Sequence, residues 1–411
     1  MNKKIKVCRS CKKKNLKNLF SLGNIPLSGI FPEKNKKVEI GKLTLVICEV
    51  CKLVQLDRNF SLKKLYGKNY GYRTGLNSSM VNHMMQKAND LKKFLNLKTK
   101  RNLILDIGSN DGTFLNFFNE KNQVRFAIDP TIKNFKKFYD KKIKTIDSFF
   151  SHESFIRKSK IKADLITSMS MLYDLLDPEK FIKDIYNSLN KDGVWHTEQS
   201  YLKTMITKNS FDTVCHEHLE YYTLTSLKYL FDKVGFKIID IKLNDINGGS
   251  IAITLAKKNS VKYKEITRKI KVMINDEKRS QLHKPITFIK FLEKIKKETK
   301  KFVLQLKKLK KSKKLVLGYG ASTKGNILLN YCKINNNLIK YIAEVNPLKF
   351  GKQTPGTKID IISEKVAKKM NPDYFVVFPW HFKNFIIDKE KNYIKQKKVR
   401  FIFPLPKLTI I

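Results

Sequence analysis

The chain has 411 residues, with 84 Lys and Arg against 36 Asp and Glu, a formal charge of +48 at pH 7. That length gives room for two or three domains whose cores need no disulfides, and no run of about eighteen apolar residues marks a membrane-spanning helix. The charge invites a polyanionic partner, but the lysines are scattered, Ile and Asn are also abundant, and few arginines accompany them. A composition bias explains that pattern better than a nucleic-acid or membrane surface does, so neither partner is expected.

The first segment, 1–65, opens on MNKKIKVCRSC, which lacks the apolar stretch of a secretory signal. A cytoplasmic protein with reduced thiols is expected. Four of the six cysteines fall in two pairs, Cys8-x-x-Cys11 and Cys48-x-x-Cys51. Two such pairs, each on a tight knuckle, can close a tetrahedral zinc site with no open position, which predicts a structural metal. A redox couple is the alternative, without a thioredoxin-like βαβ unit around it. Between the pairs, LGNIPLSGIFP reads as a glycine- and proline-rich loop. Next, Tyr66, Tyr70, Tyr72 and Arg73 crowd into a turn-rich stretch ahead of a helix predicted over 80–95. Such a stretch could fold over a pocket and offer polar groups to a ligand, or it could be a packed linker. Tyr70, Tyr72 and Arg73 are candidate substrate contacts.

From about 101 to 256 apolar runs alternate with helical stretches, the signature of a doubly wound α/β sheet with ligands at strand carboxyl ends. The strands read as NLILDIG, VRFAIDP, ADLITSMS, GVWHTEQS and the IAITLA run after Gly249. Helices are predicted over 178–189 and 224–234. The first strand runs into Asp106, Gly108, Ser109, Asn110, Asp111 and Gly112, and the second ends at Asp129. Glycines let backbone approach a ligand closely. The turn departs from G-x-G-x-x-G, which counts against a dinucleotide, and the carboxylates suit a cationic ligand. This order resembles the opening of a class I S-adenosylmethionine (SAM) methyltransferase. That resemblance implies that Asp106 to Gly112 cradle SAM and that Asp129 accepts the ribose hydroxyls, with Asp147 near the adenine. Tyr173, in the loop after ADLITSMS, faces the substrate end of the sheet or caps the next helix. The Asp/Asn-Pro-Pro-aromatic motif of amino-directed DNA methyltransferases is absent there.

The densest polar cluster is DTVCHEHLEYY, with His216, Glu217, His218 and Tyr222. Histidine titrates near neutrality and suits removal of a proton next to a carbonyl. The spacing is H-x-H rather than H-E-x-x-H; metal binding and plain packing are the other readings. With the four cysteines, the SAM turn and His-Glu-His in place, the whole chain resembles the sugar C-methyltransferase family, SAM-dependent enzymes acting on nucleotide-bound keto-deoxysugars. The resemblance implies that Cys8, Cys11, Cys48 and Cys51 hold zinc, that His218 is the general base, and that Glu217 contacts the sugar. His216 and Tyr222 join them as catalytic candidates, Tyr222 as an enolate donor. Three positions depart from the family: Cys215 where Tyr is usual, Tyr173 near an expected His, and Leu76 where the lid carries Tyr. Asn247 stands for His in a His-Gly-Gly-Ser turn, and its place suggests a pocket contact.

Residues 259–312 are lysine-dense, and Phe288, Phe291, Leu292, Ile295, Phe302, Leu306 and Leu309 fall near helical spacing, which predicts one amphipathic connecting helix. The final segment, 313–411, opens with LVLGYGASTKGN, a glycine turn before a helix that suits an anion. Lys324 and Glu344 are candidate substrate contacts there; in the resembling family this Rossmann-like domain helps hold the nucleotide-sugar. The expectation is therefore a zinc-binding domain (1–65), a SAM domain (66–258), a helical connector (259–312) and a C-terminal α/β domain (313–411), in a monomer or weak oligomer. The other readings are a zinc-bearing RNA methyltransferase and a non-catalytic nucleotide-sugar binding protein.

Overall fold

The computed structural model describes residues 3–66, 71–96 and 102–411; Tyr70 lies outside them. The alternating stretch folds into a seven-stranded sheet. Asn102–Ile107 lies inside it, with Gln123–Ile128 and then Lys144–Ile146 on one side. Ala163–Met169 and Leu189–Ser200 follow on the other, all of these strands parallel. Ser250–Lys257 inserts antiparallel between Leu189–Ser200 and the edge strand Phe236–Asn244. Strand order reverses at Asn102–Ile107, so a crevice opens at its carboxyl end. Parallel strands are covered on both faces and read as apolar runs, which made them visible in sequence. Phe236–Asn244 escaped because its Ile238-Ile239 pair breaks the alternation and its end is polar; a register shift between Ile238 and Asp240 marks the same spot. The helix over Leu224–Val234 is set by its ends: Thr223 and Ser226 form a capping box, and Gly235 closes it at φ 103°.

The N-terminal segment is a four-stranded antiparallel sheet ordered Leu16–Pro26, Ile40–Cys48, Val54–Leu56 and Glu220–Tyr221. Part of LGNIPLSGIFP, expected as a loop, is strand: Asn24 pairs with Lys42 and Pro26 with Ile40. Gly23, at φ 88°, sits at a register shift, the usual place for a glycine bulge. The fourth strand is donated by the central domain, directly after His218. Gln55 pairs with Glu220 and Val54 with Tyr221, and Leu56 N–H donates to Leu219 O at 2.9 Å.

The C-terminal sheet is a second doubly wound one, ordered Ile361–Ser363, Ile342–Glu344, Val316–Tyr319, Tyr374–Val377 and Arg400–Phe403, with Thr409–Ile410 antiparallel at the edge. Residues 259–312 do not form one connecting helix. Thr267–Arg279 belongs to the central domain: Ile270 enters its core, and the buried Glu277 carboxylate accepts from Tyr201 OH, Leu224 N and Thr225 N. Pro285–Lys311 is a separate helix. Its apolar stripe joins the N-terminal sheet and the C-terminal domain in one core, and Phe291 meets Phe20 edge-on at 5.8 Å. The cysteine cluster packs instead into the central core beside Tyr222 and Trp195. The N-terminal sheet is thus wedged between the other two domains. No helix among the described residues is long and apolar enough to cross a membrane.

Phe291→Ala removes a ring that is 2 % exposed and is expected to cost about 3–5 kcal/mol. Because that ring belongs to a shared core, urea unfolding followed by Trp380 fluorescence in the C-terminal domain should show the loss.

Candidate functional site

The crevice at the end of Asn102–Ile107 is shaped by a turn in which Gly108, Asn110 and Gly112 have φ of 71°, 52° and 77°. A Cβ on Gly108 would lie 3.2 Å from Met171 Cγ, so the walls already meet there. Asp106 is buried and accepts from Thr167 Oγ1 at 2.6 Å. Burial pushes its carboxyl up to about 7, against the pull of Thr167. Asp129 accepts from Asn110 N at 2.9 Å and from Thr131, and burial raises it too. The hydrogen-bond donors to both carboxylates are neutral, so a cationic ligand that forms hydrogen bonds fits this crevice. Ser109 Oγ and Tyr139 OH lie 2.7 Å apart, and Tyr139 donates to Asn110 O. Asp147, at the third strand's exit, pairs with Lys133 at 3.2 Å.

Other predicted contacts are engaged with one another. Asp111 Oδ2 accepts from Arg73 Nε at 3.1 Å and Gly75 N at 2.9 Å, and the Arg73 guanidinium stacks 3.8 Å over Phe138. Asn110 accepts from Thr74 N and donates to Tyr72 O. Expected as ligand contacts, the side chains of Asp111, Asn110 and Arg73 instead lace residues 72–75 to the glycine turn. The helix Ser78–Phe94 that follows is pinned to the sheet by buried Glu198, which meets His83 Nε2 at 2.7 Å and Lys87 Nζ at 3.1 Å.

The four cysteines converge. Lys12 N donates to Cys8 O and Lys52 N to Cys48 O, and Lys12 and Lys52 sit at φ 62° and 61°, so the two knuckles are alike. Their sulfurs all lie within 4.8 Å of one another, with Cys8–Cys51 at 3.6 Å and Cys11–Cys48 at 3.4 Å. Four thiolates around zinc at about 2.3 Å sit about 3.8 Å apart, so this donor set fits a closed structural site. Gln55 Nε2 points at Cys8 Sγ at 3.2 Å.

The His-Glu-His segment divides three ways. His216 is fully buried, edge-on to Phe60; its Nδ1 accepts from Ser28 N and its Nε2 donates to Gly41 O. Expected as catalytic, it is a joint between the segment and the N-terminal sheet, and burial takes its pKa down to about 4. Glu217 presses on Gly29: a Cβ there would come within 1.7 Å of Glu217 Oε1, so any larger residue must displace the carboxylate. Its Oε2 is buried without a hydrogen-bond partner, and burial raises its pKa. His218 packs against Tyr173 with ring centroids 4.3 Å apart and the rings tilted by 57°, and its Nδ1 donates to Thr213 O at 2.9 Å. A carbonyl only accepts, so Nδ1 carries the hydrogen and Nε2 keeps its lone pair. Burial, helped by Lys324, takes the imidazole down to about 3. Tyr222, expected as an enolate donor, is buried in the core with the cysteines; Tyr221, not Tyr222, reaches the cavity beside His218.

The C-terminal domain reaches the same place. Lys324, near the start of the helix Thr323–Tyr331 capped by Ser322, donates to Asn247 O at 2.6 Å. Asn247, at φ 55°, donates to Ser170 Oγ at 3.3 Å. His218, Lys324, Asn247 and Tyr173 are therefore brought together. Glu344 is not: its carboxylate accepts from Ala321 N, Val345 N and Asn346 N and shapes the glycine turn. Sequence reasoning missed Thr213, which fixes the His218 tautomer through a carbonyl that any residue carries. It also missed Gly29, whose only signal was the small residue itself.

Residues 8–66 match a family of zinc binding domains, 80–241 a methyltransferase domain, and 245–406 a C-methyltransferase C-terminal domain. The chain is 28% identical over 412 residues to the C-methyltransferase NovU of Streptomyces niveus, covering 98% of this chain and 96% of that protein. It is 29% identical over 204 residues to the tRNA U34 carboxymethyltransferase of Campylobacter fetus subsp. fetus, covering 42% and 65%. Among solved structures, the plantazolicin methyltransferase BpumL in complex with SAH aligns with 14% identity and a TM-score of 0.35, over 44% of this chain and 88% of that one.

His196, His216 and His218 are held neutral by burial at about 3, 4 and 3. Unfolded histidine protonates near pH 6.5, so below that the unfolded state takes up protons that the folded state refuses. Stability should then fall by up to about 1.4 kcal/mol per pH unit for each histidine, down to the folded values. Urea unfolding from pH 7.5 to 4.5 measures the slope, and His216→Gln should remove about one proton from it.

Proposed function

From the premise that this chain is a SAM-dependent C-methyltransferase with a zinc-binding domain, we propose that it methylates a carbon next to the ketone of a nucleotide-linked sugar. SAM supplies the methyl group as a sulfonium electrophile. Transfer to nitrogen needs no strong base, whereas a carbon acid must lose a proton first. The observation that carries the reading is His218: half-buried, neutral, its hydrogen committed to Thr213 O and its Nε2 lone pair free.

In this reading Asp106 and Asp129 hold the cofactor at the carboxyl end of the sheet, and the Arg73–Asp111 pair closes the rim. His218 Nε2 takes the α-proton. An imidazole with so low a pKa is a weak base in the empty crevice, but the negative charge that forms on the substrate favours its imidazolium. Lys324 and the Tyr173 hydroxyl are the donors placed to stabilise the enolate oxygen, and Lys324 replaces Tyr222 in that role. Glu217, with one oxygen free, is the candidate sugar contact. The substrate's diphosphate suits the start of helix Thr323–Tyr331, where backbone amides favour an anion. The substrate is then a small molecule and the site of action cytoplasmic.

The partial match to tRNA carboxymethyltransferases supports a second reading, methylation of RNA. It predicts tRNA binding that weakens steeply between 50 and 200 mM salt and gives the C-terminal glycine turn no role.

Incubating the enzyme with SAM and a panel of nucleotide-linked keto sugars, followed by mass spectrometry, should show a product heavier by one methyl on carbon; methylated tRNA instead would establish the second reading. His218→Gln should lower transfer by about 10³-fold with SAM affinity near wild type, and a parallel loss of SAM binding would count against the base. Because Asp106 sits near pH 7, a cationic ligand bound there favours its carboxylate and expels a proton below that pH. SAM affinity measured by calorimetry should therefore fall by up to about tenfold per unit as pH drops from 7 to 5.5, and Asp106→Asn should abolish the dependence.

A further inference from the structure

The cysteine knuckle carries a side chain that the reaction above leaves unused. Arg9 lies between Cys8 and Cys11 and is 4 % exposed. Its Nη1 donates to Leu56 O at 2.8 Å, Gln55 Oε1 at 3.3 Å and Leu219 O at 3.4 Å. Its Nη2 donates to Arg58 O at 2.8 Å and Asn59 Oδ1 at 2.6 Å, and its Nε also reaches Asn59 Oδ1. Among the described residues the carboxyl facing the guanidinium is that of Glu220, whose Oε1 is 3.7 Å from Nε. A buried guanidinium with its fork fully engaged has little rotational freedom, so the groups it holds share its rigidity.

Those groups flank His218. Leu219 is the next residue and Glu220 the one after. Glu220, Tyr173, Thr213 and His218 line one small cavity, about 10 Å³ in volume. Neither carboxyl oxygen of Glu220 has a hydrogen-bond partner among the described residues; burial pushes the group well above the usual carboxylate range, and the Arg9 guanidinium is the cation that opposes that shift. Among the described residues the side chain of His218 makes one hydrogen bond, Nδ1 to Thr213 O. Its place thus depends on the backbone that Arg9 grips.

We propose that Arg9 is a positioning residue for His218: the cysteine knuckle aims the guanidinium, and the guanidinium fixes Leu219 and Glu220 so that the imidazole keeps Nδ1 on Thr213 and Nε2 free. The zinc domain then acts on the chemistry through a side chain that touches neither cofactor nor substrate. This rests on His218 being the base.

The test uses the full-length zinc-loaded protein with Arg9→Lys, which keeps the charge but loses the fork, and Glu220→Gln, which keeps the shape but replaces the carboxyl that faces the guanidinium. Four quantities are read: zinc per chain, SAM affinity by calorimetry, kcat and KM on the keto-sugar nucleotide that the panel returns, and the ¹⁵N resonances of His218, assigned by their loss in His218→Gln. The expected result is one zinc per chain, SAM affinity within about twofold of wild type, kcat lower by about tenfold or more at unchanged KM, and His218 shifted from the Nδ1–H pattern toward a mixture of tautomers. A kcat within about twofold of wild type together with an unchanged ¹⁵N pattern overturns the proposal, as does a loss of kcat that tracks loss of zinc or SAM. If Arg9→Lys does not fold, Glu220→Gln decides by the same four readings. His218→Gln retaining full turnover would overturn the base assignment instead, and the ¹⁵N response of His218 to Arg9→Lys would still be read.

Discussion

Glu220 and Tyr221 leave the central domain to pair with Gln55 and Val54, and by doing so they complete the N-terminal sheet. Four residues of that sheet's surroundings then close on the preceding segment: Ser28 and Gly41 on His216, Gly29 on Glu217, and Arg9 on Leu219. The segment has little regular structure of its own, only a 3-10 turn at Phe211–Thr213 and the two-residue strand. Backbone pairing to a neighbouring domain is what turns it from a loop into a rigid wall. Everything placed in the crevice relative to His218, including Tyr173 on one side and Lys324 on the other, takes its reference from that pairing.

On the proposed role of Arg9, this arrangement gives the zinc-binding domain a place in the mechanism. The thiol cluster lies in the same core as Trp195 and Tyr222 of the central domain. A closed four-cysteine site performs no chemistry on a substrate. What it can do is hold two knuckles at a fixed separation, and one of those knuckles bears Arg9. Rigid positioning of reacting groups is a large part of what an enzyme contributes when two substrates must meet. The C-terminal domain contributes in the same way through Lys324, whose bond to Asn247 O bridges the two α/β sheets.

Legibility in the sequence followed range. The strand-turn-helix order around Asp106, the helix Leu224–Val234 and the cysteine pairs are local patterns, and local patterns were readable. Clustering along the chain marked His216, Glu217 and His218 together as candidates, and it was the family resemblance that singled out His218. Residue type and spacing do not separate the two histidines, which differ in what long-range folding sets beside them: Phe60 and Gly41 for His216, Tyr173 and Thr213 for His218. The same holds for Asp111 and Arg73, whose attraction to each other looks in sequence like two separate invitations to a ligand. The strand within LGNIPLSGIFP was hidden because its glycine and proline sit at a bulge and at a strand end, where both are tolerated.

The order in which the chain is made carries a cost set by this wedge. A ribosome delivers the two long N-terminal strands first, but their fourth neighbour is some 160 residues downstream, and the helix that covers Phe20 comes later still. Until then Leu43, Leu45 and Ile47, buried in the finished protein, have no cover, and the open edge at Val54–Leu56 can recruit a foreign strand. The N-terminal sheet is therefore a late product of synthesis, completed only once residues 220–221 and the helix Pro285–Lys311 have emerged.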